Sequence, residues 1–300
     1  MITLVSRLAL LLAYQFKIMP WWVIRFDAKI LAFFLTYFFR YRRGVIRQNL
    51  NLVGATNVSI FGIYENLCLL ALESLKLFAA SVKSVEKRLK YENLELLDEL
   101  YSKGKNVVFV GGHMANWELF SLDLPQKVKY KTYAIYKRLN NRVFDKAIKK
   151  SRGRSGMEII EMNQIRRIVS TNSNDPILCS LVFDQSPFNY KNARWTTFLG
   201  VETPVYSGME KLAHKLDAAL VYSAITRDED GKYTMKLELV SECVSDTEEG
   251  EVIEKCLGIL EKEIIKCPEN WLWTHRRWKH KRPSGVELQE RKITKFEGWC

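Results

Sequence analysis

Five short apolar runs punctuate the chain and narrow its fold class. Val107 to Val110 is a β-branched run bounded by Gly104 on one side and Gly111-Gly112 on the other. The same signal recurs at Tyr133 to Tyr136, Ile177 to Phe183, Ala219 to Thr226 and Tyr233 to Val240. Short apolar runs closed off by turn residues read as strands buried on both faces. Apolar residues at helical spacing fall between and around them, over 60–80, 92–102, 141–150, 163–171, 206–216 and 247–266. Strands alternating with helices predict an α/β fold, a mixed and largely parallel sheet flanked by helices. In such sheets ligands sit at the carboxyl ends of the strands.

No internal repeat and no Gly/Ser- or Pro-rich linker divides the chain, so one domain is expected over residues 41–300. Residues 1–40 are different. They are strongly apolar, with Leu4 to Leu12, Trp21 to Ile24 and Ile30 to Phe39 interrupted only by Arg7, Lys17, Arg25, Asp27 and Lys29. The uninterrupted run Ile30 to Phe39 is too short to span a bilayer, which takes about 20 residues. No signal-peptide layout is visible either. Trp21, Trp22, Tyr37 and Tyr41 suit a membrane interface, and Arg40, Arg42, Arg43 and Arg47 favour its cytoplasmic side. The expectation is an N-terminal membrane-associated helical segment, an anchor or an in-plane hairpin. Two buried amphipathic helices are the alternative.

The 300 residues carry 46 Lys+Arg against 34 Asp+Glu, a formal charge of +12. An apolar share of 47% rules out intrinsic disorder, and a mean hydropathy of -0.16 rules out a polytopic membrane protein. The charge is concentrated: net +7 over residues 1–50, net +10 over 127–167, and net -7 over 227–263. The second basic block flanks the Val107 strand and favours an anion-facing surface over an ordinary solvated face. The six cysteines form no CxxC pair, and the chain is too large to need a disulfide framework. Buried thiols are expected and no metal site.

The densest chemistry follows the Val107 strand, in Gly111-Gly112-His113-Met114-Ala115-Asn116-Trp117-Glu118. His113 and Glu118 can meet only if His113 ends the strand and Glu118 lies in the first turn of a following helix, with Asn116 as its N-cap. A carboxylate on one imidazole nitrogen leaves the other free to act as a general base. Spacing alone fits this role and a buried structural pair equally well. Near the end of the chain, Arg276, Arg277 and Lys279 with Trp271, Trp273 and Trp278 read as a basic-aromatic patch whose tryptophans are expected to anchor at an interface or pack in the core, and His275 among them as a structural residue.

Gly112-His113 followed after four residues by Glu118 resembles the HX4D/E motif of the lysophospholipid acyltransferase superfamily. The wider set resembles the lipid A late (secondary) acyltransferases, the lauroyl/myristoyl transferases. Arg43 through Asn49-Leu50 and Gly104-Lys105 match in order. So do the block of Tyr136, Arg138, Asn141 and Asp145, then Arg152, Arg154 and Gly156, and Phe183-Asp184-Gln185. Phe198-Leu199-Gly200 with Thr203-Pro204 follows, and then the closing Trp271-Leu272-Trp273-Thr274-His275-Arg276-Arg277-Trp278-Lys279. The resemblance covers residues 1 to about 280. Leu139 departs from it where many members carry proline, and Ser186 to Ala193 is long and polar.

The resemblance implies a glycerol-phosphate-acyltransferase-like fold and no cofactor. It implies transfer of a fatty acyl chain from acyl carrier protein to a hydroxyl of an anionic lipid A-type glycolipid at the bacterial inner membrane, on the cytoplasmic side. His113 would be the general base, oriented by Glu118, with backbone N–H groups of residues 114–117 as oxyanion donors. Arg138, Asn116, Asp184, Gln185, Arg154 and Arg276 would bind substrate. A lysophospholipid or phosphatidylinositol mannoside acceptor is the nearest alternative. A basic nucleic-acid-binding protein or a membrane scaffold is the alternative of a different class. Nucleic acid is not expected as a partner, because no zinc, RRM, KH or basic-zipper signature appears.

Overall fold

The computed structural model describes residues 14–78, 80–138, 141–165, 175–292 and 299, without the side chain of residue 144. The apolar residues Leu4 to Leu12, Leu139 and most of the helix expected over 163–171 lie outside the described residues.

The chain opens with helix α1 (Trp21–Phe34), which widens into a π-helical turn (Leu35–Phe39), followed by α2 (Arg43–Leu52) and α3 (Ile60–Leu77). A short α4 (Val82–Glu86) leads into β1 (Leu89–Glu92), α5 (Glu95–Ser102) and β2 (Asn106–Gly111). The middle of the chain holds α6 (Phe120–Asp123), β3 (Lys131–Tyr136), α7 (Arg142–Gly153), β4 (Glu158–Glu161) and β5 (Ile177–Val182). A hairpin of β6 (Arg194–Phe198) and β7 (Val201–Val205) precedes α8 (Gly208–Leu216), β8 (Ala218–Arg227), β9 (Tyr233–Ser241) and α9 (Glu251–Lys266).

Seven strands form one sheet in the order β1-β9-β8-β2-β5-β3-β4. Only the β8/β9 pair is antiparallel, so the five strands from β8 to β4 run the same way. The mixed, largely parallel sheet expected from the apolar runs is present. Every β2 residue after Asn106 is buried, which is why that strand is apolar without alternation. The runs at Tyr133, Ile177, Ala219 and Tyr233 also form strands, and the helices expected near 60–80, 92–102, 141–150, 206–216 and 247–266 are α3, α5, α7, α8 and α9.

Four strands are not legible as strands in the sequence. β1 and β4 are sheet edges of four residues each, carrying Lys90, Glu92, Glu158 and Glu161, and their apolar signal is too thin to register. β6 and β7 form a two-stranded hairpin apart from the main sheet, through a two-residue turn, Leu199-Gly200, in which both residues have positive φ, and Trp195 of β6 also bridges to Leu288. The closing segment clamps this hairpin. The Trp278 indole donates to Thr203 Oγ1 at 2.7 Å, and the buried Arg277 guanidinium donates to the Pro204 carbonyl at 3.0 Å.

Helix α1 is apolar on two faces. Ile24, Ala28 and Ala32 recur every four residues, are fully buried, and seat the helix against α3. Lys76 of α3 fixes its start by donating to the carbonyls of Phe16, Lys17 and Met19 at 3.1, 3.0 and 2.6 Å. The opposite face puts Trp22, Phe26, Phe33, Phe34, Phe38 and Phe39 into solvent, Trp22 at 70% and Phe39 at 74% exposure. Among the described residues no helix is long and apolar enough to cross a membrane. The 14 residues of α1 extend about 21 Å, short of the roughly 30 Å hydrocarbon core.

Gly111 closes β2 where it leans on β8. A Cβ there would lie 2.8 Å from Ser223 Oγ and 3.0 Å from the Ser223 carbonyl oxygen. Because backbone cannot give way as a side-chain tip can, Gly111→Ala is expected to cost about 1–3 kcal/mol. A lowered midpoint in urea denaturation checks this, and an unchanged midpoint refutes it.

Candidate active site

β2 and β5 are parallel neighbours, with Gly111 paired to Val182. His113 and Asp184 each stand two residues past that pair, so the register itself brings them together. The His113 ring donates from Nδ1 to Asp184 Oδ1 at 2.5 Å, and the His113 backbone N–H donates to Oδ2 at 2.9 Å. The Trp271 indole donates to the same Oδ2 at 2.8 Å. Burial on its own would raise the pKa of Asp184. The adjacent imidazole and the three donated hydrogen bonds prevail and hold the carboxyl well below the usual carboxylate range. With Nδ1 committed, His113 Nε2 is left as an acceptor, and the exposed Gln185 amide donates to it at 3.0 Å. Trp117 packs edge-on against the imidazole, with ring centroids 4.6 Å apart.

The carboxylate on His113 is therefore Asp184, which corrects the expectation that Glu118 orients it. Glu118 is turned to α7, where Arg152 grips it bidentately, Nε to Oε2 at 2.8 Å and a terminal nitrogen to Oε1 at 2.5 Å. The reason is the path of the chain between the two residues. Ala115 sits in the left-handed region at φ 46°, and its N–H donates to the Asn270 carbonyl at 2.8 Å. This turns residues 116–118 away from the imidazole and removes Ala115 from the expected oxyanion donors. A left-handed alanine is strained by about 1 kcal/mol or more and persists only where its surroundings impose it.

Asn116 is fully buried. Its Oδ1 accepts from the Glu118 N–H at 3.1 Å in a turn, which is not the helix N-cap expected of it, because α6 begins only at Phe120 after Leu119 with no side-chain cap; its amide donates to Glu73 Oε2 at 2.6 Å. A second donor to Glu73, the Tyr233 hydroxyl at 2.7 Å, completes this anchor. Asn116 thus holds the loop from below and is not open to substrate.

The other expected ligands separate into two groups. Arg138 is exposed two residues past the end of β3, the strand beside β5, so it shares the carboxyl-end edge with His113 and Asp184. Among the described residues no ion pair joins it to the nearby acids Asp145 and Glu118. Asp145 accepts from Tyr136, and Glu118 from Arg152. Arg276 is also exposed. Arg154 is a correction: its guanidinium donates at 2.5 Å to the carbonyls of Leu77 and Phe78, capping the end of α3.

Four supporting residues escape sequence reasoning. Trp271 packs in the core, one of the two places expected of these tryptophans, as do Trp273 and the Arg277 side chain, and it reaches Asp184. Arg152 stands in a basic block that gives no sign of its partner. Asn49 donates to the carbonyls of Trp273 and His275 at 2.9 and 2.8 Å, tying α2 to the closing segment. Glu73 alone carries a usable signal, an acid between Leu72 and Leu77 on the apolar face of a helix.

His275 is structural, as its sequence setting indicates. Its Nε2 accepts from the Ser186 N–H at 3.2 Å and so pins the loop that carries Asp184 and Gln185. Burial, reinforced by the nearby Arg277 charge, lowers its pKa to about 4. The unfolded chain binds a proton there below about pH 6.5, whereas the folded chain does so only near pH 4. Acidification through that window therefore removes stability, by about 2 kcal/mol from this residue at pH 4.5. Urea denaturation at pH 7 and 4.5 should show a smaller acid loss for His275→Gln than for the unsubstituted protein; equal losses refute the assignment.

Residues 4–280 match the family described as bacterial lipid A biosynthesis acyltransferase. Over 208 residues the chain is 27% identical to a lipid A biosynthesis palmitoleoyltransferase of Escherichia coli (strain K12), a stretch covering 67% of this chain and 64% of that protein. It is equally similar, over the same shares, to a lipid A biosynthesis acyltransferase of Shigella flexneri. The match thus spans just under two thirds of each relative's length. With nearly all of the chain inside the family match, and His113, Glu118, Asp184 and Trp271 within it, the protein belongs to the bacterial lipid A biosynthesis acyltransferase family.

Proposed function

We propose that the protein is an acyltransferase that moves a fatty acyl chain from acyl carrier protein to a hydroxyl of a lipid A-type glycolipid. The observation that carries this reading is the His113–Asp184 pair at the carboxyl ends of adjacent parallel strands, in a chain of this family. Asp184 fixes the Nδ1-protonated tautomer, and among the described residues the hydrogen-bond partner on Nε2 is the amide of the exposed Gln185. An acceptor hydroxyl displaces that amide and gives its proton to Nε2 as the oxygen attacks the thioester carbonyl carbon. The carbon–sulfur bond then breaks, and the thiolate leaves and takes the proton back from His113 as thiol. Asp184 stabilises the imidazolium between these two transfers. The step needs no covalent acyl-enzyme and no cofactor.

Glu118 and Arg152 serve as a positioning pair in this scheme, bracing the His113 loop against α7. Arg138, Gln185 and Arg276 are the exposed polar groups proposed to meet the acceptor, the arginines suiting its phosphates through paired N–H donors. The exposed aromatic face of α1 and its π-turn supports seating at the surface of the bacterial inner membrane. The sheet edge bearing His113 would then work on the cytoplasmic side, where acyl carrier protein is available.

Purified protein supplied with a panel of acyl carrier protein thioesters and glycolipid or lysophospholipid acceptors tests the reading. Asp184→Asn is expected to lower kcat/KM about 10²- to 10⁴-fold with the fold retained. Wild-type transfer by His113→Ala would sink the proposal, and transfer to lysophospholipids alone would remove the lipid A acceptor. In the same assay Glu118→Ala and Arg152→Ala should be non-additive, the double variant losing no more than the worse single one. Additive losses would mean that the two side chains act separately.

A further inference from the structure

Where the exposed aromatic face of α1 ends, the chain turns through two left-handed residues, Arg40 at φ 49° and Arg42 at φ 52°, into α2. That turn encloses an open bowl of about 420 Å³ lined by Arg40, Arg43, Gly44 and Arg47. Its volume falls within the range of small-ligand sites, roughly 300–1,000 Å³. The lining is entirely cationic apart from glycine. Among the described residues no Asp or Glu carboxylate forms an ion pair with Arg40, Arg43 or Arg47. Arg43 is held in place by a 3.2 Å bond to the Thr36 carbonyl, yet its buried Nε has no acceptor. Open space adjoins the backbone at Gly44, where a Cβ would meet nothing within 4 Å. Three arginines lining one bowl with no ion-paired carboxylate among the described residues favour an anion there, and the fork geometry of arginine matches phosphate oxygens.

We propose that this bowl is a binding site for the phosphate group of an anionic membrane lipid, separate from the catalytic centre. The occupant follows from what adjoins it. Phe38 and Phe39, 66% and 74% exposed, precede Arg40 directly, so an aromatic face that enters the acyl region delivers the arginines at headgroup depth. The inference rests on the membrane-surface reading of α1 given above and adds the headgroup chemistry. It also links the lipid to the reaction centre, because Arg42 donates to the Thr274 carbonyl at 3.1 Å and Asn49 holds both Trp273 and His275.

The test uses the full chain, with tryptophan fluorescence and sedimentation reporting binding to three kinds of vesicle. These are phosphatidylcholine alone, phosphatidylcholine with phosphatidylglycerol, and phosphatidylcholine with a sterol hemisuccinate that gives the same surface charge without a further phosphate. The unsubstituted protein should prefer phosphatidylglycerol vesicles to both others by at least about tenfold. The paired change Arg43→Lys and Arg47→Lys keeps the net charge but removes the fork, and should abolish most of that preference while leaving binding to phosphatidylcholine unchanged. Arg47→Lys alone should give a partial loss and covers the case in which the pair does not fold.

Equal binding to the hemisuccinate vesicles, or a preference retained by the lysine variants, overturns the site in favour of diffuse charge attraction. Binding of inorganic phosphate at this site together with no preference among the vesicles overturns it in favour of a free-phosphate site. Absence of binding to any vesicle overturns the membrane reading beneath it, and acyl transfer to detergent-dispersed acceptor then shows whether the catalytic assignment stands independently.

Discussion

A buried carboxylate is the costliest group in this fold, and the catalytic face is arranged around meeting its demands. Isolated in an apolar interior, Asp184 would take up a proton; instead the His113 ring, the His113 backbone N–H and the Trp271 indole all donate to it. Two of those donors come from the strand next door, through the Gly111/Val182 register. The third comes from a segment nearly ninety residues further along the chain. The sheet therefore aligns the pair, and the closing segment completes it. This explains the density of tryptophan and arginine in that segment. Trp271 serves the carboxylate, Trp278 and Arg277 lock the β6–β7 hairpin, and the His275 ring accepts from the loop after Gln185.

The same economy runs through the N-terminal helices. Glu73 lies in the middle of α3 and would be destabilising there without partners, but it anchors Asn116 at the base of the His113 loop and accepts from Tyr233 of β9. Close to the end of that helix, Lys76 gathers three backbone carbonyls ahead of α1. Helix α3 is thus the element through which the sheet, the loop and α1 are joined. Helix α1 is apolar on one face toward protein and on the other toward solvent, and the second face is the one on which the proposed membrane seating rests.

Much of this architecture is legible in the amino-acid sequence. The runs at Val107, Tyr133, Ile177, Ala219 and Tyr233 are strands because a strand buried on both faces must be apolar throughout, and that leaves an unmistakable mark. His113, Asp184 and Gln185 stand out because each follows such a run closely. Edge strands and the β6–β7 hairpin are not legible: β1 and β4 are short, half-exposed and charged, and β6–β7 takes its stability from the closing segment rather than from its own pattern. The partner of His113 is hidden for a related reason. A spacing of five residues allows a contact with Glu118 but does not create one, and the left-handed Ala115, held by Asn270, sends the chain elsewhere.

The sequence by itself determined the fold class, the place of the candidate general-base histidine at a strand's end and the uneven distribution of charge. These depend on local periodicity and composition, which a linear chain carries in full. Only the tertiary structure decided which acid faces the histidine, which arginines are committed and which stand open. Arg152 and Arg154 lie two residues apart in the same basic block, yet one grips Glu118 and the other caps α3. Arg40, Arg43 and Arg47 look no different in sequence but line one bowl and, among the described residues, form no ion pair with a carboxylate. Partner choice is a matter of which long-range neighbours the packed sheet and helices bring within about 3 Å, and residue spacing does not encode that distance.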